Sequence, residues 1–366
     1  MIDRRVVSNF NWWFFLLALT IACLGVVIIY SANHGRPEAF FRGLYLKQIY
    51  WIGYGLIVMT VAVLVDYHLL SRYAYAIYAL TVLALVFVLV FGTVTSGSRR
   101  WIHIGSLSIQ VSEFAKIALI ITLAKYFEAG KLQGQYQLKD LFIPVLLTGL
   151  LGGLIFVQPD LGTAMIIFFI FLIFVTAIEF SYRTLLRIFA LGVAAAPFLW
   201  FALKDYQKTR LLTLFNPDLD PLGAGYHSIQ SKIAIGSGGF WGKGLLAGTQ
   251  SRLNFLPEKH TDFIFSVFAE ETGFIGVMIL FSLYLILLLK GLHIAFRAGD
   301  RFGLFVALGL VGSIAYYVIF NIGMTIGLFP VTGVPLPLLS YGGSSLLSNF
   351  LALGLLLNIE MRRTLH

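Results

Sequence analysis

Apolar residues dominate this chain in long runs separated by short polar segments, and this pattern predicts helices that cross a membrane. Crossing a hydrocarbon core roughly 30 Å thick takes about 17 to 25 apolar residues in a helix. Helices also satisfy their own backbone hydrogen bonds in lipid, so we expect an all-α integral membrane protein, a polytopic bundle of about ten transmembrane helices. The predicted spans are 13–30, 48–65, 73–92, 113–127, 141–157, 162–180, 184–203, 263–289, 303–327 and 345–361.

Composition agrees with this pattern and excludes a soluble globular protein. Of the 366 residues 59% are hydrophobic and only 12% are charged, and the mean hydropathy is +0.88. The single cysteine, Cys23, lies in the first run, so neither an intramolecular disulfide nor a cysteine metal site can form. Arg4 and Arg5 precede that run as in a signal peptide, but no cleavage site follows. We interpret residues 1–366 as a single transmembrane domain with a retained first helix.

The distribution of Lys and Arg predicts the orientation of the bundle. With the N-terminus inside, the inner segments hold thirteen basic residues and the short outer loops hold five. Basic residues concentrate in short cytoplasmic loops, so we expect both termini in the cytoplasm. Residues 204–262 then form one long extracytoplasmic loop between spans 7 and 8.

This long loop is the first candidate for a substrate site, because loops of nearly sixty residues are uncommon in compact proteins and are usually functional. Apolar periodicity within it predicts a short interfacial helix at about 225–235. The glycine cluster at 236–248 does not match a phosphate-binding loop, since Ser237 stands where the first glycine is required. Close packing at the membrane surface is the plainer explanation for these glycines.

The junction between this loop and the eighth span, LPEKHTDFIFSVFAEETGF, concentrates ionisable residues in a chain that has few. Asp262 stands where the helix should start, so it is either a helix N-cap or a functional carboxylate. Lys259 and His260 are interpreted as solvated loop residues. Glu270 and Glu271 lie roughly 12 Å deeper along the helix and need a cation such as Lys116 nearby.

Other polar positions near the outer surface have competing interpretations. Glu113 and Lys116 share one face of the fourth span at i and i+3, where they can pair either as a structural salt bridge or as part of a site. Asp160, in the tight connection before the sixth span, is favoured as an N-cap. Residues 93–112 are suited to the headgroup layer, and the proline- and glycine-rich segment 328–345 cannot be a regular helix.

Five motifs together resemble the SEDS family (shape, elongation, division and sporulation proteins), which are polytopic bacterial membrane glycosyltransferases. They are RWIHIGSLSIQVSEFAK, QPDLGTA, NPDLDPLGAGYHSIQSKIAIGSGG, LPEKHTDFIFSVFAEETGFIG and GVPLPLLSYGGSS, in family order and spacing. Pro335 is typical of the elongation branch, because the division branch usually has Thr there. Val111 departs from the family, which usually has Pro before the Ser-Glu pair, and this affects only the local turn.

The resemblance implies polymerisation of lipid II into glycan strands on the outer face of the bacterial cytoplasmic (inner) membrane. Asp262 matches the family's essential aspartate, and Glu113 and Lys116 match a polar pair in its central cavity. A divalent cation, Mg²⁺ or Mn²⁺, is expected, although its ligands are not identifiable from the sequence. The implied partners are undecaprenyl-pyrophosphate-linked glycan and a class B penicillin-binding protein that crosslinks the strands.

The implied chemistry assigns roles to these residues. Forming a β-1,4 bond from an α-linked donor requires inversion, and a carboxylate within about 3 Å of the acceptor hydroxyl can act as general base. We assign Asp262 to that role, with Glu258 as a polar neighbour. Lys116, Arg210 and Lys232 are candidate cations for the leaving pyrophosphate. Two alternatives remain, a lipid II flippase and a noncatalytic scaffold for a penicillin-binding protein.

Overall fold

The computed structural model describes residues 9–34, 41, 43–95, 98–104, 107–130, 136–178, 182–221, 223–253, 255–256 and 258–363. The basic N-terminal Arg4 and Arg5 lie outside this set. The described helices are α1 (Trp12–Asn33), α2 (Leu44–Leu64), α3 (His68–Phe91), α4 (Ser112–Glu128), α5 (Phe142–Val157), α6 (Leu161–Ala177), α7 (Tyr182–Ala202), α8 (Asp205–Leu212), α9 (Ala224–Ser237), α10 (Thr249–Arg252), α11 (Ile264–Phe296), α12 (Arg301–Thr325) and α13 (Gly343–Arg362).

The helices confirm an all-α, multi-pass membrane protein. In the described part of the chain, seven helices are long and apolar enough to cross a membrane: α1, α2, α3, Leu138–Val157 (a 3₁₀ turn continuing into α5), α11, α12 and α13. The other three predicted spans coincide with α4, α6 and α7, which have 17, 17 and 21 residues. In all ten cases the helix lies where the apolar run predicted it.

Two helices form the centre of the bundle. The apolar windows of α12 and α13 are 72% and 78% buried, whereas that of α3 is only 22% buried and mostly faces the bundle's surroundings. α12 packs against α4, α6 and α11, and α13 packs along α2. Gly354 permits that second contact, because a Cβ there would lie 2.8 Å from the Met59 carbonyl oxygen.

Between α3 and α4 the chain forms a small antiparallel sheet that the sequence interpretation missed. Its strands are β1 (Thr93–Thr95), β2 (Ser98–Ile104) and β3 (Leu107–Gln110), in the order β1-β2-β3. Trp101 pairs with Gln110 and Ile102 with Ile109. The signal was present, since two Gly/Ser dipeptides of the kind found in tight hairpins separate these short runs.

The long loop between α7 and α11 is ordered by three helices. The predicted helix at 225–235 is α9, and the sequence interpretation missed α8 and α10. The glycine cluster crosses a break in α11, where Gly273 has φ 65° and ψ −165°. Phe274 N donates to Gly239 O (2.9 Å), and Gly244 N donates to Glu271 O (2.9 Å). The predicted close packing of the glycines is therefore confirmed, and its reason is that their backbone bonds the peptide groups exposed by the break.

The proline- and glycine-rich segment 328–345 is irregular up to the start of α13 at Gly343, as predicted. Side chains of neighbouring helices contact this segment. Tyr284 Oη donates to Pro337 O (2.6 Å), and Gln48 Nε2 donates to Ser340 O (3.2 Å). These side chains satisfy carbonyl groups that no helix can satisfy, so the segment forms a fixed wall.

Candidate active site

A cavity of about 210 Å³ lies where β2 and β3, the start of α6, the residues before α11 and the irregular segment before α13 meet. Three carboxylates, those of Glu113, Asp160 and Asp262, line it together with the guanidinium of Arg100. These residues are far apart in the sequence, and only the packing of the bundle brings them together. The cavity is our candidate active site.

Asp262 does not cap α11, so the N-cap interpretation is wrong. The helix begins at Ile264 with Phe263 at its N-cap, and no side chain bonds the first turn. The carboxylate of Asp262 instead lines the cavity. Its Oδ2 atom lies beside Gly333, where an added Cβ would be 3.3 Å away. The acidic group at this junction is therefore free for a role other than capping.

The surroundings of Asp262 raise its pKa to about 7. Burial is the largest cause, and the negative charge of Glu258 adds to it, whereas the positive charge of Arg210 and a hydrogen bond from Thr261 lower the pKa. Asp262 therefore exists in both protonation states near neutral pH. An aspartate exposed to solvent, with a pKa of about 3.9, would be fully ionised at pH 7.

The segment that carries Asp262 is fastened to the irregular wall. Ser340 Oγ donates to Thr261 O (2.6 Å), and Tyr341 N donates to His260 O (2.9 Å). The backbone on each side of the cavity is thus joined by direct hydrogen bonds, which fixes the entry of the chain into α11.

Glu113 and Lys116 form the pair that their spacing predicted, with Nζ 2.6 Å from Oε2. Both side chains are buried, and Ser348 Oγ also donates to the Glu113 carboxylate (3.1 Å). Lys116 Nζ lies 4.3 Å from the centre of the Tyr317 ring. Glu113 lines the cavity, while Lys116 lies behind it and orients its carboxylate.

Asp160 caps α6 as predicted. It also contacts the small sheet, which the sequence did not predict. It accepts hydrogen bonds from Thr163 N (3.2 Å) and Thr163 Oγ1 (2.9 Å). Gln110 Nε2 on β3 donates to it (3.0 Å), and the Arg100 guanidinium lies 3.8 Å away. Asp160 therefore anchors the sheet to the α5–α6 connection at the cavity wall.

The three remaining predicted substrate residues lie outside the cavity wall. Arg210 is on α8, close enough to lower the pKa of Asp262 by its charge. Glu258 is exposed, and its carboxylate accepts a hydrogen bond from Thr261 Oγ1 (3.4 Å). Lys232 is an exposed residue of α9 whose side chain lies against Gly327. Of these three, Arg210 and Glu258 act electrostatically on Asp262, and Lys232 does not line the cavity.

Two other expectations at the junction are corrected. Lys259 is only 1% exposed, so its interpretation as a solvated loop residue is wrong. The His260 ring packs between Phe41 and Tyr341, at centroid distances of 5.8 and 5.9 Å. Both residues are part of the packing that supports the segment carrying Asp262.

The cation near Glu270 is Lys243 of the glycine cluster, not Lys116. Lys243 Nζ lies 2.7 Å from Glu270 Oε1. The sequence interpretation missed this pair because the two residues are 27 positions apart and meet only where the loop crosses the break in α11.

The described residues do not fit a metal site made by protein alone. Within the ranges that the structure describes, no group of three or more His, Cys, Asp or Glu side chains could hold a metal ion. Two of the cavity carboxylates already have protein partners. Glu113 is bonded to Lys116, and Asp160 is bonded to Thr163 and Gln110.

Known proteins are similar to this chain over nearly its whole length. The family model for FtsW, RodA and SpoVE, described as "Cell cycle protein", matches residues 11–365. The peptidoglycan glycosyltransferase MrdB of Escherichia coli K12 is 41% identical over 351 residues, which cover 95% of this chain and 92% of MrdB. The peptidoglycan glycosyltransferase RodA of Treponema pallidum is 35% identical over 431 aligned residues, covering 98% of this chain and 99% of RodA.

A solved structure gives the same likeness in three dimensions. A chain from a study of how a peptidoglycan synthase complex coordinates polymerization and crosslinking is similar to this one with a TM-score of 0.82 and 36% identity. The match covers 98% of this chain and 99% of the other.

Proposed function

The chain belongs to the FtsW, RodA and SpoVE family and is a peptidoglycan glycosyltransferase, and we propose that it polymerises lipid II by inverting transfer with Asp262 as the general base. The observation that supports this role is the position of Asp262, a cavity-lining carboxylate that caps no helix and has a pKa raised to about 7. A base with a pKa near the working pH is suited to take a proton from a sugar hydroxyl.

In the proposed reaction the 4-hydroxyl of the incoming N-acetylglucosamine attacks the anomeric carbon of the growing glycan. Asp262 accepts the hydroxyl proton as the new C–O bond forms, and the bond to undecaprenyl pyrophosphate breaks on the opposite face. A positioned general base contributes roughly 10² to 10⁴ in rate. The bundle holds both lipid-linked substrates at one depth, which removes much of the entropic cost of their encounter.

Negative charge that develops on the leaving pyrophosphate needs cations. Arg100 lies in the cavity wall and is the cation that we assign to the leaving group, whereas Arg210 lies outside the wall and acts on the base. Lys116 is engaged with Glu113 and acts by orienting that carboxylate. A Mg²⁺ or Mn²⁺ ion would need pyrophosphate oxygens as additional ligands, because Mg²⁺ is commonly held by one or two carboxylates together with substrate phosphates.

The membrane setting and the partner are part of the proposal. The bias of basic residues supports cytoplasmic termini and an extracytoplasmic cavity. The elongation branch is supported by the names of the relatives MrdB and RodA. A class B penicillin-binding protein is the proposed partner, supported by the likeness to a chain from a complex that couples polymerization to crosslinking.

Substitution of Asp262 by Asn tests the proposal, because Asn retains the shape of the side chain but cannot act as a carboxylate base. We expect the purified variant, assayed with its partner, to make no glycan strands from lipid II. Glycan synthesis at a near wild-type rate would refute the role of Asp262.

Transport is the alternative, and the break in α11 at Gly273 is the observation that favours it, since transporters use interrupted helices. A liposome assay separates the two functions. Translocation of lipid II by the wild-type chain without polymer would support transport.

A further inference from the structure

Asn321, near the C-terminal end of α12, is a buried polar residue to which the proposed reaction assigns no role. Its side chain is 0% exposed. Its amide nitrogen donates to Asp262 O (3.0 Å) and to Val334 O (2.6 Å). A carboxamide NH₂ group has two protons, so these two bonds use its full donor capacity.

The two carbonyl groups belong to two different segments of the cavity lining. Asp262 lies just before α11, and Val334 lies in the irregular segment; both line the cavity, as does Gly333. Without this donor the two carbonyl oxygens would lose a shared partner, and an unsatisfied buried carbonyl group is unfavourable. Asn321 therefore sets the separation of the two segments.

That separation decides where the Asp262 carboxylate lies. Its Oδ2 atom is next to Gly333, at 3.3 Å from the position of a Cβ there, so a shift of either segment moves the carboxylate relative to the rest of the cavity. Misplacement of a catalytic group by about 1 Å can lower a rate by about 10². A residue that touches only backbone can thus control the reaction.

We propose that Asn321 is a positioning residue, whose carboxamide joins the Asp262 and Val334 peptides and so holds the Asp262 carboxylate at the acceptor hydroxyl. This inference rests on the proposed role of Asp262 as the base. Asn321 itself contacts no substrate.

The chain offers a matched control at the other end of the bundle. Asn358 on α13 is also 0% exposed, and its amide nitrogen donates to backbone carbonyls of Ala62 (2.5 Å) and Val63 (3.1 Å). It lies thirteen positions beyond the cavity residue Ser345, about 20 Å along the helix. It thus bonds buried backbone carbonyls as Asn321 does, but far from the cavity, and its Oδ1 atom also accepts a hydrogen bond from Arg362 Nη1 (2.6 Å).

The experiment compares Asn321→Leu with Asn358→Leu in the full chain with its partner. For each we measure thermal unfolding, and kcat and KM for lipid II. We expect both variants to unfold at lower temperature, but only Asn321→Leu to lose kcat, by tenfold to a hundredfold, with KM changed less than threefold. An Asn321→Leu variant with kcat within twofold of wild type overturns the inference, and so does an equal loss of kcat in Asn358→Leu.

If Asn321→Leu does not fold, Asn321→Asp preserves the shape and, when ionised, removes both donors. Its negative charge near Asp262 raises the pKa of that carboxyl, so kcat should fall and the pH at which the rate is half-maximal should rise. An unchanged kcat and pH profile would contradict the positioning role. The outcome for Asp262→Asn separates the two claims, because an inactive Asp262→Asn with a fully active Asn321→Leu refutes only the role of Asn321.

Discussion

Asp262 and Glu270 are two acidic residues of the same junction, eight positions apart, and their surroundings differ. The Glu270 side chain is fully buried, and its Oε1 atom accepts bonds from Lys243 Nζ (2.7 Å), Thr249 N (2.7 Å), Thr249 Oγ1 (3.0 Å) and Gln250 N (3.0 Å). The carboxylate of Asp262 lines a cavity, with a negative neighbour in Glu258.

This difference distinguishes a structural carboxylate from a reactive one. Buried polar groups in folded proteins are normally satisfied by hydrogen bonds, and the Oε1 atom of Glu270 follows that rule because its partners join the glycine cluster to the broken helix. Asp262 is held in an environment that disfavours its charge, which is a cost to folding but prepares a base near neutral pH. Substitutions at the two positions should therefore affect different measurements.

The largest expected effects are opposite changes in activity and stability at the two positions. Asp262→Asn should lower the rate of glycan synthesis by about 10² to 10⁴, the contribution of a general base, while thermal unfolding stays at or above the wild-type temperature. Glu270→Gln should do the reverse, lowering the unfolding temperature and leaving kcat of the folded fraction near wild type. The comparison fails if Glu270→Gln folds normally and loses its activity as completely as Asp262→Asn.

Removal of the partner of Glu270 should be the next largest effect. In Lys243→Met a buried carboxylate loses its cation, which we expect to destabilise the protein by about 3 kcal/mol, the lower end for a broken buried pair, since Lys243 is partly exposed. Adding Glu270→Gln to Lys243→Met should restore part of this loss. Chemical or thermal unfolding measures the stability of the single and the double variant. Lys290→Met, at an exposed position on the same helix as Glu270, is the control.

If the double variant is no more stable than Lys243→Met, Glu270 is not the reason for the loss. The pair would then be a surface contact of little energetic consequence rather than the attachment of the loop to α11.

The fold was largely predictable because local apolar runs in the sequence indicate the membrane spans. Each predicted run is a helix, and the pairing of Glu113 with Lys116 and the capping by Asp160 followed from helical spacing. The sheet and the break at Gly273 were not predicted, because short strands and single backbone angles leave weak local signals.

The site was predictable only in part, for a physical reason. The resemblance directed attention to Asp262, but its pKa depends on burial and on the charges of Glu258 and Arg210. Lys243 and Asn321 act through contacts that join distant segments of the chain. Spacing along one helix cannot show such contacts, whereas the assembled bundle does.

A smaller effect should follow from a methyl group added beside Asp262. Gly333→Ala places a Cβ at 3.3 Å from Oδ2, at a φ of +76° that favours glycine. Gly239→Ala has the same type of backbone strain at φ +56°, but there is open space around its Cβ. Both should lose about 1 kcal/mol of stability, and only Gly333→Ala should lower kcat, by several-fold. Equal values of kcat in the two variants would show that the carboxylate tolerates displacement.

The most direct test of the central claim is the dependence of kcat/KM for lipid II on pH. Because the pKa of Asp262 is raised to about 7, the base is protonated and inactive below that pH, so the rate should rise with pH and be half-maximal near 7. In Glu258→Gln a negative neighbour that raises this pKa is gone, so the half-maximal point should move to lower pH. A wild-type profile that is flat down to about pH 5, as for an ordinary aspartate with a pKa near 3.9, or one that Glu258→Gln leaves unchanged, would contradict the account.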